Sequence, residues 1–386
     1  MPHKTIPAFA FLLMLHAGLL AQSDKDTIFY DDGVSPKYIY EVLVDGNQTL
    51  RHGAFFFYYP DGVLRQKGDY VQDKIHGTWH LYNRYGIVNQ IVNYNNDVKE
   101  GPFGIYYPNG EIKQQGQYLN NAIHGELKTY YEDGTLQEEV NYLEGQLNGL
   151  AVGYYPNGNK RFVRSYKDGS VHGTFESWFE NGFPQLLTSM VDEKYDGAYR
   201  EFYENGALKK TTTYSKGVVD GDYSTFHPNG KKDVICFYKK GDIHGNYLRY
   251  YDNGQLREKS KFRHGIKIKK STLFYPDGAP YILGKFKNDR YEGVWNIFYS
   301  NGQTKQTGLY EAGLAQGEWF FYYDNGQLKM HGFYVDDKEQ GLWTTYYPDG
   351  KIKIKIVYEQ GEIVQIPEAN DPEGNPVNPD LLLEEK

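Results

Sequence analysis

The octet Tyr322-Tyr323-Asp324-Asn325-Gly326-Gln327-Leu328-Lys329 recurs in close copies from one end of the chain to the other, and its glycine sets the register. Glycines also stand at 62, 86, 110, 134, 158, 182, 206, 230, 254, 278, 302 and 350, so every step is 24 residues with no insertion, and there are thirteen copies. The residue before the glycine is Asn or Asp in every copy but one, where it is Tyr85, and the residue four before it is always aromatic. A fixed period of this length means a repeat array, in which no unit has a core of its own and each buries surface against its neighbours.

One repeat, from Gly53 to His76, reads as two short strands. The first, Ala54 to Tyr59, ends at Pro60-Asp61-Gly62. Proline presets φ, Asp tolerates the next position, and glycine takes the left-handed conformation that closes a hairpin with a bulge. Gly62, Gly110, Gly134, Gly158, Gly206, Gly254, Gly302, Gly326 and Gly350 are therefore structural turn glycines. The second strand, Val63 to Val71, alternates in period two, with Leu64 and Tyr70 on one side and Arg65, Lys67 and Asp69 on the other. A second turn over Gln72 to Gly77 leads into the next copy.

Aromatic residues fall in three columns: four before the repeat glycine (Tyr58 through Tyr346), eight after it (Tyr70 through Tyr358) and seven before it. The last column holds Phe55, Trp79, Phe103, Trp295, Trp319 and Trp343, with non-aromatic residues only at Leu127, Ala151 and Ser271. Stacked repeat over repeat, such columns form cross-strand ladders worth about 0.2 to 1 kcal/mol per pair. The expected fold is all-β: an elongated single-layer antiparallel β-meander of about thirteen 24-residue hairpin repeats, on the order of 120 Å long before twist shortens it.

The ends differ from the array. Residues 1 to 21 carry Lys4 and then an apolar run that stops at Gln22-Ser23-Asp24, which reads as a secretory signal peptide. The run is shorter than the ~20 residues of a spanning helix, so no integral membrane span is expected once it is removed. Residues 22 to 52 read as a degenerate capping repeat, because Gly33 precedes Gly62 by 29 residues rather than 24. The array occupies 53 to 364, and the Pro-, Asn- and Glu-rich segment 365 to 386 reads as a flexible tail.

Composition narrows the function. Tyr (38) and Gly (43) dominate a chain only 39% hydrophobic, so rings must supply most of the buried area. With a net charge of −8 and no long basic run, the chain lacks the electrostatic footprint of a nucleic-acid binder. The single cysteine, Cys236, lies in a strand-like run and reads as a small buried hydrophobe.

Tyr250-Tyr251-Asp252-Asn253-Gly254-Gln255-Leu256-Arg257, preceded by His244-Gly245, resembles the MORN-repeat variant of bacterial proteins, many of which carry an antitoxin label. The resemblance covers roughly residues 53 to 361. It implies hairpin repeats in an extended single-layer sheet and a binding or scaffolding role without catalysis. The chain departs from the antitoxin picture in its length and its export signal.

His52, His76, His124, His172 and His244 share one register, but copies ~10 Å apart cannot put two imidazoles on one zinc at ~2.0 to 2.1 Å. Glu100, Asn148 and Gln316 occupy the same register elsewhere, so the position calls for a polar turn residue. No phosphate loop, nucleophile elbow or spaced Cys set is present, and neither catalysis nor a cofactor or metal is expected. Gly68, Gly116, Gly284, Gly308 and Gly332 lie inside the second strand, where a bulge or a close backbone approach is the usual reason. Three residues after the repeat glycine, every second copy is basic: Arg65, Lys113, Arg161, Lys209, Arg257, Lys305 and Lys353. These form a candidate partner-binding stripe, or else a solvated edge. The sequence thus predicts an exported, periplasmic, cell-envelope or extracellular scaffold with a protein partner. A glycan-binding protein using exposed Tyr and Trp faces, and an antitoxin or immunity protein, are the alternatives.

Overall fold

The computed structural model describes residues 24–383. The apolar segment 1 to 21 lies outside the described residues. Strands pair antiparallel with their sequence neighbours in an open meander that does not close, as the periodicity predicts. Two compact units divide the chain, Met1–Asn148 and Gly149–Lys386, and both are built from the same repeat.

The repeat around Gly326 shows how the sequence makes the hairpin. Its leading strand is Leu314–Tyr322 and its trailing strand Leu328–Val335, paired from Gly317↔Tyr334 to Tyr322↔Leu328. Between them Tyr323 N–H donates to Gln327 O (2.8 Å) and Gly326 N–H to Tyr323 O (3.0 Å). Gly326 sits at φ 85°, and the Asn325 side chain accepts from Gln327 N–H (2.9 Å), which fixes the turn. The pairing then skips a residue, so Lys329 stands in a bulge.

The connection to the next repeat is tighter than the sequence reading allows. The turn has two residues, Asp336 (φ 48°) and Asp337 (φ 64°), flanked by the pair Val335↔Lys338. Positive φ at both positions is the type I′ turn, whose twist matches that of the strands. The strand after it bulges instead: His331 pairs with Thr344 and Phe333 with Gln340, so Gly332 alone faces three residues, Gly341-Leu342-Trp343.

That bulge carries the core. An added Cβ on Gly332 would lie 2.0 Å from the Trp343 indole, and on Gly308 2.0 Å from Trp319. Gly284 stands in the same relation to Trp295 and, in the first unit, Gly68 to Trp79. Four of the five strand glycines are thus seats for the tryptophan of the following repeat, and Gly116 lies against Leu127 instead. Tyr310 (ring centroids 5.0 Å) and Tyr334 (5.8 Å) wall the Trp319 ring, and only 3% of Trp319 is exposed. Size compensates along the column: Val92 meets Phe103 in the first unit, and in the second Ser260 meets Ser271 through a 2.7 Å hydrogen bond. A single-layer sheet buries rings by laying them on its own backbone.

At the N-terminal end Asp24–Phe29 pairs with Pro36–Asp45, which pairs with Gln48–Tyr58. The Gly46 turn falls 13 residues after Gly33, where the regular spacing from Gly326 to Asp336 is 10, so the capping hairpin is longer than its successors. At the other end the expected flexible tail is corrected. Glu362–Ala369 adds a further strand, Asn370 bridges to Pro376, and Asp380–Leu383 forms a helical turn. Ile366, Val377 and Leu382 pack against buried Ile354, Ile356 and Ala369. Composition concealed this because a few apolar residues, spaced among prolines and acids, are enough to cap the last hairpin.

Candidate functional site

Side chains flanking the inner-face column point to the opposite, outer face, because strand residues alternate. The sequence-derived basic positions follow neither face: they sit in the post-turn bulge. There Lys113 lies over the Tyr107 ring (5.6 Å), Arg257 over Tyr251 (5.4 Å), Lys305 over Tyr299 (5.6 Å) and Lys353 over Tyr347 (5.7 Å). Arg65 covers both Phe57 and Tyr59, Arg161 covers Phe162, and Lys209 lies over Tyr203 while pairing with Glu201 at 2.7 Å. The hydrogen bond that the Lys209 ammonium donates to Glu201 pushes its pKa up from the ordinary value. Every member of the stripe is thus engaged within its own repeat, and each such cation–π contact contributes about 0.5 to 1 kcal/mol at an exposed site.

The tyrosines beneath those cations have a task that their sequence position did not reveal. Tyr323 Oη donates to Tyr346 O in the next repeat (2.7 Å), as Tyr299 does to Tyr322 O (2.9 Å) and Tyr59 to Tyr82 O (3.1 Å). The turn asparagine adds a second tie: Asn301 Nδ2 donates to Asp324 O (2.7 Å) and Asn253 Nδ2 to Pro276 O (2.7 Å). A preference for Asn over Asp was visible in the sequence; the donor that explains it was not. In the I′ turns a third tie runs back, where Asp289 accepts from Lys267 N–H (2.6 Å).

The remaining candidates resolve into structure. All nine turn glycines named from the sequence have φ between 83° and 89°. At the histidine register the side chain faces the next turn: Glu100 there accepts from Asn120 N–H (3.2 Å) and Gln340 from Gln360 N–H (3.0 Å). Among the described residues no cluster of three or more His, Cys, Asp or Glu could hold a metal. Cys236 is buried, and burial pushes its thiol up to about 11. Trp295, Trp319 and Trp343, the rings proposed to stack on sugars, are buried against glycine seats, and that expectation is corrected.

What the fold leaves free is the outer face. In the first unit a trough of about 380 Å³ is lined by Gln115, Gln117, Glu126 and Lys128, whose Nζ is held between Glu139 (2.8 Å) and Glu126 (3.1 Å). In the second unit the same rows carry Phe237, Val294, Phe333 and Leu342, exposed at 41%, 61%, 44% and 49%. They also carry Lys259, Lys261, Lys270 and Lys285, all exposed. The sequence reading missed this group because charge was counted over the chain and not repeat by repeat.

Repeats that lock to their neighbours through turns and leave one face to vary define a β-hairpin repeat scaffold. The profile of the family described as MORN repeat variant matches ten times, at residues 51–72, 99–120, 123–144, 147–168, 195–216, 219–240, 243–264, 291–312, 315–336 and 339–360, and the chain belongs to that family. No curated protein matches it. Solved structures with similar stretches include the TcdB2-TccC3 crystal structure (11% identity, 86% of this chain and 20% of that one, TM-score 0.17). The TcdB2-TccC3-Cdc42 crystal structure (12%, 92% and 22%, 0.14) and a Tc holotoxin pore from Photorhabdus luminescens (12%, 88% and 23%, 0.14) are further examples. The chain spans about a fifth of the length of those chains, and at such TM-scores the likeness carries no argument.

Proposed function

We propose that this chain is an exported, non-enzymatic repeat scaffold whose outer face binds a partner protein. The observation that carries the reading is that the fold draws on the inner column and the two turns, whereas the outer rows hold exposed Phe237, Val294, Phe333 and Leu342. Large apolar side chains repeated along one solvent face are what a protein interface uses, and a fold has no need of them there. Export is inferred from the apolar segment ahead of Gln22.

A photo-crosslinking residue at Val294 or Leu342, with the turn position Asp324 as control, tests the binding role in cells of the native host. Specific adducts from the outer-face positions and none from the turn are expected; equal or absent labelling at all three refutes the reading. Fusing residues 1 to 22 to a reporter active only outside the cytoplasm tests export, and an inactive fusion refutes it.

A further inference from the structure

We infer that the outer face between Phe237 and Val294 is a docking surface for a short acidic protein segment with apolar residues at its ends. The inference rests on the proposed protein-binding role and names the partner's chemistry. Its basis is a concentration of charge that the rest of the chain does not share. Residues 257 to 290 hold ten Lys and Arg (257, 259, 261, 263, 267, 269, 270, 285, 287, 290) against three acids (258, 277, 289), in a chain of net charge −8.

Geometry places four of these cations together. Ser260, Ser271 and Gly284 belong to the inner face: the two serines are buried and bonded to each other, and Gly284 seats Trp295. Their neighbours Lys259, Lys261, Lys270 and Lys285 therefore share the outer face. Lys270 and Lys285 are directly opposed across the strands. Like charges in that arrangement destabilise a sheet. None of the four makes an ion pair among the described residues. The acid in register with Lys285 is Glu292, whose carboxylate is already taken by Ala312 N–H (3.2 Å) and Lys287 (3.5 Å).

The same repeat gives up stability in two further places. Lys269, at φ 62°, occupies the bulge position that is glycine on either side, at Gly245 and Gly293. The inner column here is a serine pair where neighbouring repeats place rings. Departures from what a fold prefers, gathered in one place, are the signature of a site.

Extent and surroundings select the ligand. From Phe237 to Val294 the row crosses six strands, a span of about 24 Å at ~4.8 Å per step, which an extended peptide covers in about seven residues. Asp222 precedes the patch on the outer face and Glu318 follows it, both exposed. A long polyanion such as nucleic acid would have to run over those carboxylates, whereas a short segment ends before it meets them. Exposed Phe237 and Val294 stand where the apolar ends would lie.

The test uses the full chain and a fluorescent peptide of about seven residues, with leucine at each end and glutamates alternating with serines between. Polarisation should report binding that weakens with salt and weakens about tenfold or more in the Lys261→Gln/Lys270→Gln/Lys285→Gln variant. The glutamine version of the peptide should not bind. Because Lys270 and Lys285 repel, the variant should melt no lower than the parent; a lower melting temperature assigns the lysines to the fold and overturns the inference. Equal affinity in parent and variant overturns it too, as does an oligothymidylate that outcompetes the peptide. Crosslinking at Val294 separates the two levels of argument. Adducts retained by the glutamine variant leave the binding role standing and remove this site, whereas adducts absent from the parent at both Val294 and Leu342 remove the role itself.

Discussion

Replacing Gly308 by alanine sets two physical expectations against each other. Gly308 has ordinary strand backbone, since its φ is outside the left-handed region. On conformational grounds alone alanine in place of a strand glycine stabilises by about 0.5 to 1 kcal/mol, because the unfolded chain loses less entropy. The seat argument gives the opposite sign. The new Cβ would fall 2.0 Å from Trp319 Cδ2 and 2.2 Å from Cε2, atoms of a ring buried between Tyr310 and Tyr334. Either the backbone shifts, at about 1 to 3 kcal/mol for overpacking, or the indole leaves, at a cost approaching the ~3 to 5 kcal/mol of deleting it. Net destabilisation of about 1 to 4 kcal/mol is expected. Repeat arrays unfold in stages, so the assay is hydrogen exchange, read on the amides of Leu314–Tyr322 and compared with those of a remote strand. Shrinking the ring in the double variant Gly308→Ala/Trp319→Leu should show a coupling of about 0.5 to 3 kcal/mol relative to the sum of the single changes. Unchanged or greater protection in Gly308→Ala would refute the view that these glycines exist to seat tryptophan.

Other outcomes follow from the same geometry. Tyr323→Phe deletes the 2.7 Å tie to Tyr346 O and should lower protection across that junction by about 0.5 to 1.5 kcal/mol; no change would show that water replaces the hydroxyl without loss. Burial pushes the Glu258 carboxyl up, but hydrogen bonds from Lys267 (2.7 Å) and Ser260 (2.6 Å) and the nearby charges outweigh it, and the net direction is down. A depressed folded pKa stabilises above the ordinary carboxylate value near 4.5 and is lost as pH falls below it, so Glu258→Gln should flatten the loss of stability under acid; an unchanged acid profile refutes the role. Cys236, with its thiol pushed up to about 11, should resist alkylation at pH 8 until the chain is denatured, and rapid labelling of the folded chain would contradict its burial. Lys269→Gly should leave stability unchanged or raise it by up to about 1 kcal/mol, and a loss would show that its side chain supports the fold.

Much of the architecture was legible because turn chemistry is local. Asn325-Gly326 announces its hairpin, and one glycine repeated every 24 residues carries that inference down the chain. The interior strand glycines were half legible: Gly332 suggested a close approach, but its occupant, Trp343, is 11 residues away across a bulge no periodicity marks. The basic stripe read as free because alternation predicts a face and not a ring beneath the cation; only the folded structure sets Lys305 5.6 Å from the centre of Tyr299. The lysines around Ser260 escaped because they are distributed over three strands that the turns bring together.

The tyrosine and asparagine ties between repeats point forward along the chain. Tyr323 and Asn301 reach forward to carbonyls that emerge from the ribosome after them, and Tyr347 reaches forward to Asn370 O (2.8 Å) in the terminal cap. A growing chain therefore always ends in a hairpin whose hydroxyl and amide donors wait for the next 24 residues, and the segment after Gly361 is what finally meets them. Growth of the array is vectorial, like a zip with its stop at the last tooth. Loss of the stop would expose one unfinished seam at the C-terminal end, whereas loss of the first hairpin would strand no such donor.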